Sequence, residues 1–193
     1  MTAASVRTLT GGWPDAELAD VIPSNGQTTW QPGLPGIAAS AMTTGDAVFV
    51  YVGLIVTAQI AAFIRFSVNA GGTGAQTAEV ALCSTPLAPN GAGQTLTKIA
   101  ANGTLSALTG TGAMANTLTM AAAIPARTHL WAGLRTALAS SQPTVYGVTG
   151  DGGSGQILKV AASGVLTGAG PFTGTTIADT GVWMGPRLIV TTF

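Results

Sequence analysis

Eighteen consecutive residues, "AVFVYVGLIVTAQIAAFI" from Ala47 to Ile64, carry no charge. That is about the length at which an apolar stretch becomes a candidate membrane span. Its texture argues for strands instead. β-Branched residues crowd the first half, and Gly53, Thr57 and Gln59 interrupt the run, which suits extended chain better than a lipid-facing helix. Beyond it the pattern has period two: Ile60, Ala62, Ile64, Phe66 and Val68 fall on one face, Phe63, Arg65, Ser67 and Asn69 on the other. No basic cluster flanks either end. The stretch therefore reads as two strands, 47–57 and 59–69, joined by the polar "TAQ", and membrane insertion is not expected. The first strand is apolar on both sides over 48–56. A sandwich buries one side of each strand between its sheets, so the other side is expected to meet an N-terminal arm or a neighbouring subunit. Phe63, facing outward, has no obvious second core layer of its own.

Charge limits the partners. The chain holds seven Lys or Arg and seven Asp or Glu in 193 residues, 7% of the total, against roughly 25% in ordinary soluble domains. A folded monomer of this size exposes about 8,000 Å² of surface, leaving roughly one formal charge per 600 Å². So bare a surface is expected to be covered by copies of the chain or by neighbours. Seven scattered cations form no stripe able to neutralise several phosphates, which excludes nucleic acid as a partner. The N-terminal "MTAASVRTLTGGWPDAEL" lacks both a charged leader and an apolar h-region, so the chain is expected to be made and used without Sec export. Cys83, the one cysteine, ends the apolar run "AEVALC" and reads as a small core residue.

The segment 1–44 differs from the rest. "GGWPDAELADVIPSNGQTTWQPGLPG" packs four prolines, Trp13, Trp30 and three of the seven acids into sequence with no sustained period, and it reads as an extended arm. Over 45–193, short apolar runs alternate with Gly, Asn, Thr and Pro clusters, the pattern of an all-β sandwich or barrel. Candidate strands are 47–57, 59–69, 77–84, 95–101, 116–121, 128–138, 144–149, 156–162 and 187–193. "LADVI" and "MAAAI" are the only candidates for a turn of helix.

Few residues could carry chemistry. His129 is the only histidine; in "THLWAGLRT" it shares a face with Trp131 and Arg135, with no Ser or Asp at a recognisable spacing, and reads as a packing or hydrogen-bonding group. "GDGGSGQIL" around Asp151 lacks a second acidic ligand for calcium and the Gly-Lys-Ser/Thr of a phosphate loop. No metal and no cofactor is expected, and the chain reads as a non-enzyme. The aromatic residues Trp13, Trp30, Trp131, Trp183 and Tyr146 fit either a sugar-stacking platform or buried anchors at subunit contacts. Trp13 and Trp30, in the arm, favour anchoring; Trp131 and Trp183 have an ordinary core role as their alternative. Trp13, Trp30, Phe63, Trp131 and Trp183 are thus the candidate interaction residues.

Four phrases carry a family likeness: "IAAFIRFSVNAGGTGAQTAEVALCSTP", "IPARTHLWAGLRT", "GQILKVAASGVLT" and the closing "GPRLIVTTF". Together, over about residues 45–193, they resemble the jelly-roll modules of tailed-bacteriophage virion proteins, such as head or tail fibres, spikes and capsid decoration proteins. The resemblance implies a jelly-roll β-sandwich, a structural role in the virion after synthesis in the bacterial cytoplasm, and a homotrimer contacting other virion proteins of capsid, neck or tail. By analogy the arm at 1–44 attaches the module to the particle or to a subunit. The alternative reading is a lectin-like carbohydrate-binding module recognising a host surface glycan.

Overall fold

A computed structural model describes residues 27–29, 36–42, 45–73, 76–89, 94–103, 112–138, 140–149, 157–160, 166–168, 170–173, 175–176, 183–186 and 188–192. Every regular element among them is a strand: β1 Gln27–Thr29, β2 Gly36–Ala41, β3 Ala47–Ile55, β4 Gln59–Ala70, β5 Gln76–Thr85, β6 Thr95–Gly103, β7 Gly112–Ile124, β8 Thr128–Leu138, β9 Thr144–Thr149, β10 Ile157–Val160, β11 Phe172–Thr173, β12 Thr175–Thr176, β13 Trp183–Pro186 and β14 Ile189–Thr192. The expected all-β class is what forms. "MAAAI" is no helical turn: it closes β7, where cross-strand pairing with β4 overrides the helix propensity of alanine. "LADVI", like residues 1–26 as a whole, lies outside the described residues.

The pairings are nested. β2 pairs β9, β3 pairs β8, β4 pairs β7 and β5 pairs β6, all antiparallel. Two further ladders, β4 with β9 and β5 with β8, join these hairpins into sheets. One sheet thus contains the order β2-β9-β4-β7 and the other β3-β8-β5-β6. The C-terminal strands extend both sheets: β10 and β12 continue beyond β3, and β11 pairs β6. β4 and β9 touch only through Val68 and Ala70, and into the fork between them the chain inserts β13 along β9 and β14 along β4. β1 then lines the free edge of β14.

The two sheets share one apolar cluster, in which Val48, Val50, Leu82, Leu130 and Leu134 of one meet Ile64, Phe66, Val68, Val145 and Val190 of the other. A Cβ placed on Gly185 of β13 would lie 3.1 to 3.6 Å from Ile157, Val48 and Val50, which identifies the inner face of β3. The alternation expected for β4 holds at Ala62, Ile64, Phe66 and Val68, all buried, and inverts before them. Ala61 is buried, whereas Ile60 is 43% exposed. The register shifts there: against β14, β4 carries one extra residue between Ala61 and Phe63, while in the ladder with β7 the extra residues lie on β7, Ala61 pairing Ala122 and Phe63 pairing Thr117; one extra residue in a strand moves the side chains before it to the other face. A second bulge lies in β3 between Tyr51 and Gly53. There Gly53 takes φ 147°, a conformation cheap only without a Cβ.

β3 is buried on both sides, as its sequence requires. Cover for the outer side comes at least in part from the chain's own C-terminal half. Phe49 and Tyr51 point away from the inter-sheet core, and on that outer face stand Leu158 beside Phe49, Leu166, and Phe172, whose ring centre lies 5.5 Å from that of Phe49. Leu158, Leu166 and Phe172 of the chain itself thus contribute to the layer over the outer face of β3. Packing there is close. A Cβ on Gly133 would fall 2.4 Å from the Phe49 ring. Gly133→Ala is therefore expected to destabilise the fold by about 1–3 kcal/mol, read as a lowered denaturation midpoint in urea, and an unchanged midpoint would contradict this packing.

Candidate functional site

The outer face of the β3-β8-β5-β6 sheet concentrates the polar and aromatic residues of the described chain. Alternation places His129, Trp131, Gly133 and Arg135 of β8 on that face, in register with Tyr51 and Phe49 of β3 and with Cys83, Ala81 and Glu79 of β5. Tyr51 packs against Trp131 at 5.3 Å between ring centres, and its hydroxyl shares a hydrogen bond of 2.7 Å with His129 Nδ1. The histidine thus serves as a packing and hydrogen-bonding group on this face.

Glu79 holds the covering segment down. Its Oε2 accepts from the Leu166 backbone N–H at 2.7 Å and from Arg135 Nη1 at 3.2 Å, while Oε1 accepts from the Thr167 hydroxyl at 3.3 Å. Both carboxylate oxygens are engaged, and its side chain is 11% exposed against 14% for Arg135. Arg135 Nε also donates to the Gly45 carbonyl at 3.0 Å. From β6, Lys98 Nζ donates to the carbonyls of Thr167 and Gly168. Residues 166–168 are therefore a strap fastened by one carboxylate and one ammonium. The sequence reading missed Glu79; the signal was a lone acid in "TAEVALC", one residue from an apolar stretch.

This arrangement offers no reacting group. Cys83 is fully buried, and desolvation pushes its thiol far above the usual range, with the nearby Lys98 opposing this only in part. Among the described residues no three His, Cys, Asp or Glu side chains are grouped to hold a metal ion, and no helix is long and apolar enough to cross a membrane. Six charged side chains are described: Asp46, Glu79, Lys98, Arg127, Arg135 and Lys159. Five bind within the fold, Glu79 with Arg135, Asp46 with Lys159, and Lys98 with the strap. Arg127 alone stands exposed with no described partner.

Of the candidate interaction residues, Trp131 is fully buried, so it takes the core role and has no face open to a sugar or a second subunit. Phe63 is half-buried in β4, in register with Thr117 and Thr191. Trp183 lies in β13 opposite Thr149; Trp13, Trp30 and Asp151 lie outside the described residues. Of the three within the described residues, Trp131 lies in one sheet and Phe63 and Trp183 in the other. Comparison with protein-family models and with curated proteins found no match to the chain.

Removing one partner of a buried ion pair typically costs about 3–5 kcal/mol, so Glu79→Ala is expected to lower stability by about 3 kcal/mol. It should also free the strap and speed labelling of Cys83 by a thiol reagent in native buffer. Wild-type labelling at the rate of the unfolded chain would contradict the strapped face.

Proposed function

We propose that the chain is a non-enzymatic structural component of a bacteriophage virion, a capsid decoration protein or part of a head or tail fibre or spike. Its fold is a jelly roll whose first strand, β2, falls inside the segment expected from the sequence to be an arm over 1–44, so that the arm contacting the particle or a neighbouring subunit is confined to the residues before the strands. The nested strand order supports the fold. A jelly roll is eight antiparallel strands in two sheets, joined as Greek keys, and β2 to β9 pair first with last, second with seventh, third with sixth and fourth with fifth. The virion setting rests on the resemblance of residues 45–193.

The observation that carries the assembly reading is the use of charge. Five of the six described charged side chains bind other groups of the chain, and the whole chain has only fourteen formal charges in 193 residues. A surface of this kind associates unless something covers it. Buried outer faces and an engaged histidine also fit a structural part better than a catalyst. The lectin-like alternative loses Trp131 as a stacking platform.

Two measurements test the proposal. In mass spectrometry of purified phage particles the chain is expected at a fixed ratio to the major capsid or tail protein; its presence only in the particle-free lysate would overturn the virion role. In sedimentation at about 1 M salt, where screening reaches roughly 3 Å, apolar contacts persist and a species heavier than one 19.0 kDa chain is expected. A clean monomer would overturn self-association.

A further inference from the structure

Among the described residues, the exposed large apolar side chains gather at one pole. Three of the four, Val56 at 49%, Ile60 at 43% and Leu87 at 60% exposure, follow or begin strands that end there. Ile55 is in register with Thr128, and Thr128 Oγ1 donates to the Thr85 carbonyl, so the turns at 56–58, 86–89 and 125–127 are neighbours. Between the first and third of these, where β4 begins and β7 ends, lies a hollow of about 410 Å³ lined by Ala58, Gln59, Ile60, Ala123, Ile124 and Pro125, within the range of about 300–1,000 Å³ common for clefts that take an organic group. It holds one unmatched polar atom: Gln59 Oε1 is buried and accepts no hydrogen bond. Such an acceptor is costly to leave unpaired. Arg127 on the adjoining turn is the only charged side chain described at this pole.

The chain carries an occupant that matches this surface. β1 runs antiparallel to β14 with Gln27 beside Thr191 and Thr29 beside Ile189; Thr191 lies beside Phe63 and Ile189 beside Arg65. Traced backward from Thr29 to Gln27, the backbone heads toward the pole, so the 26 residues that precede Gln27 are joined to β1 at the end nearer the pole. They include "WPDAELADVIP", Trp13 followed by Asp15, Glu17 and Asp20. An indole is a flat apolar group whose one polar atom is a donor, and the acids complement Arg127. Thirteen residues separate Trp13 from Gln27, enough to span roughly 45 Å when extended.

We propose that the pole receives residues 1–26 of a neighbouring copy, with Trp13 seated in the hollow, its indole N–H donating to Gln59 Oε1, and Asp15 or Glu17 facing Arg127. Donor and acceptor share one pole, which is what a closed ring of copies about an axis there requires: each copy gives an arm and takes one. The proposal rests on the self-association reading and specifies its contact.

The test uses the full chain labelled with 5-fluorotryptophan, the Trp13 resonance being assigned with Trp13→Phe, alongside sedimentation. At high concentration Trp13 is expected at a buried shift that reverts to the solvent-exposed position on dilution to monomer. Ile60→Arg should abolish the buried shift, and Trp13→Ala should weaken association by roughly thirtyfold, the loss typical of a hot-spot aromatic. Mixing these two variants, each deficient alone, should restore part of the association, since one keeps its arm and the other its hollow. Oligomers that persist with Trp13 exposed, or unmoved by Ile60→Arg, would overturn the arm contact while leaving self-association standing. A buried Trp13 in a monomer would overturn the exchange between copies. A monomer with Trp13 exposed at every concentration would overturn both readings.

Discussion

A strand that is apolar on both faces has to be buried twice, and β3 is such a strand. Its inner side, Val48 and Val50, is met by the second sheet; its outer side, Phe49 and Tyr51, is met by a layer drawn from 157–173. The requirement extends to its neighbour β8, where Trp131 is buried on the outer side and Leu130, Ala132 and Leu134 on the inner. A large side chain buried this way contributes about 1.5–3 kcal/mol. The outer layer therefore stabilises the domain in its own right, and the strands after β9 belong to the core rather than to a tail.

Polar groups fix where that layer lies. Apolar contact alone is non-directional, and residues 166–168 form no strand that could register them. Glu79 supplies direction by accepting from the Leu166 N–H and the Thr167 hydroxyl while Arg135 neutralises it from the adjacent strand. Lys98 does the same for the two carbonyls that follow. Charge that would ordinarily solvate a surface is thus used to fasten the inside.

Much of the fold was legible in the sequence. Strand positions from β3 to β10 follow from period-two alternation and Gly-rich punctuation, because those strands have one side in the common core. β1, β2 and β13 were not separable by pattern: they are three to six residues long, and β1 and β2 sit in Pro- and Gly-rich sequence that hides their pairing. Outward-facing Phe49 and Tyr51 showed that β3 needs a second cover, yet pattern cannot say which segment provides it. That depends on long-range contacts such as Phe49 with Phe172, 123 positions apart. The same limit explains Glu79, whose role exists only once residues 166 and 167 arrive beside it. The inversion at Ile60 has a local cause, a bulge, that alternation cannot anticipate.

Amide hydrogen exchange followed residue by residue tests the doubly buried sheet most directly. Amides that open only on global unfolding mark the most buried elements. If β3 and β8 are covered on both faces, the amides of Val48 to Val52 and Leu130 to Leu134 should exchange last in the molecule, at rates set by global stability. Those of β2, at the sheet edge, should exchange faster. Exchange in β3 as rapid as in β2 would mean that the outer face is open, and the account of a fold closed by its own C-terminal segment would fail.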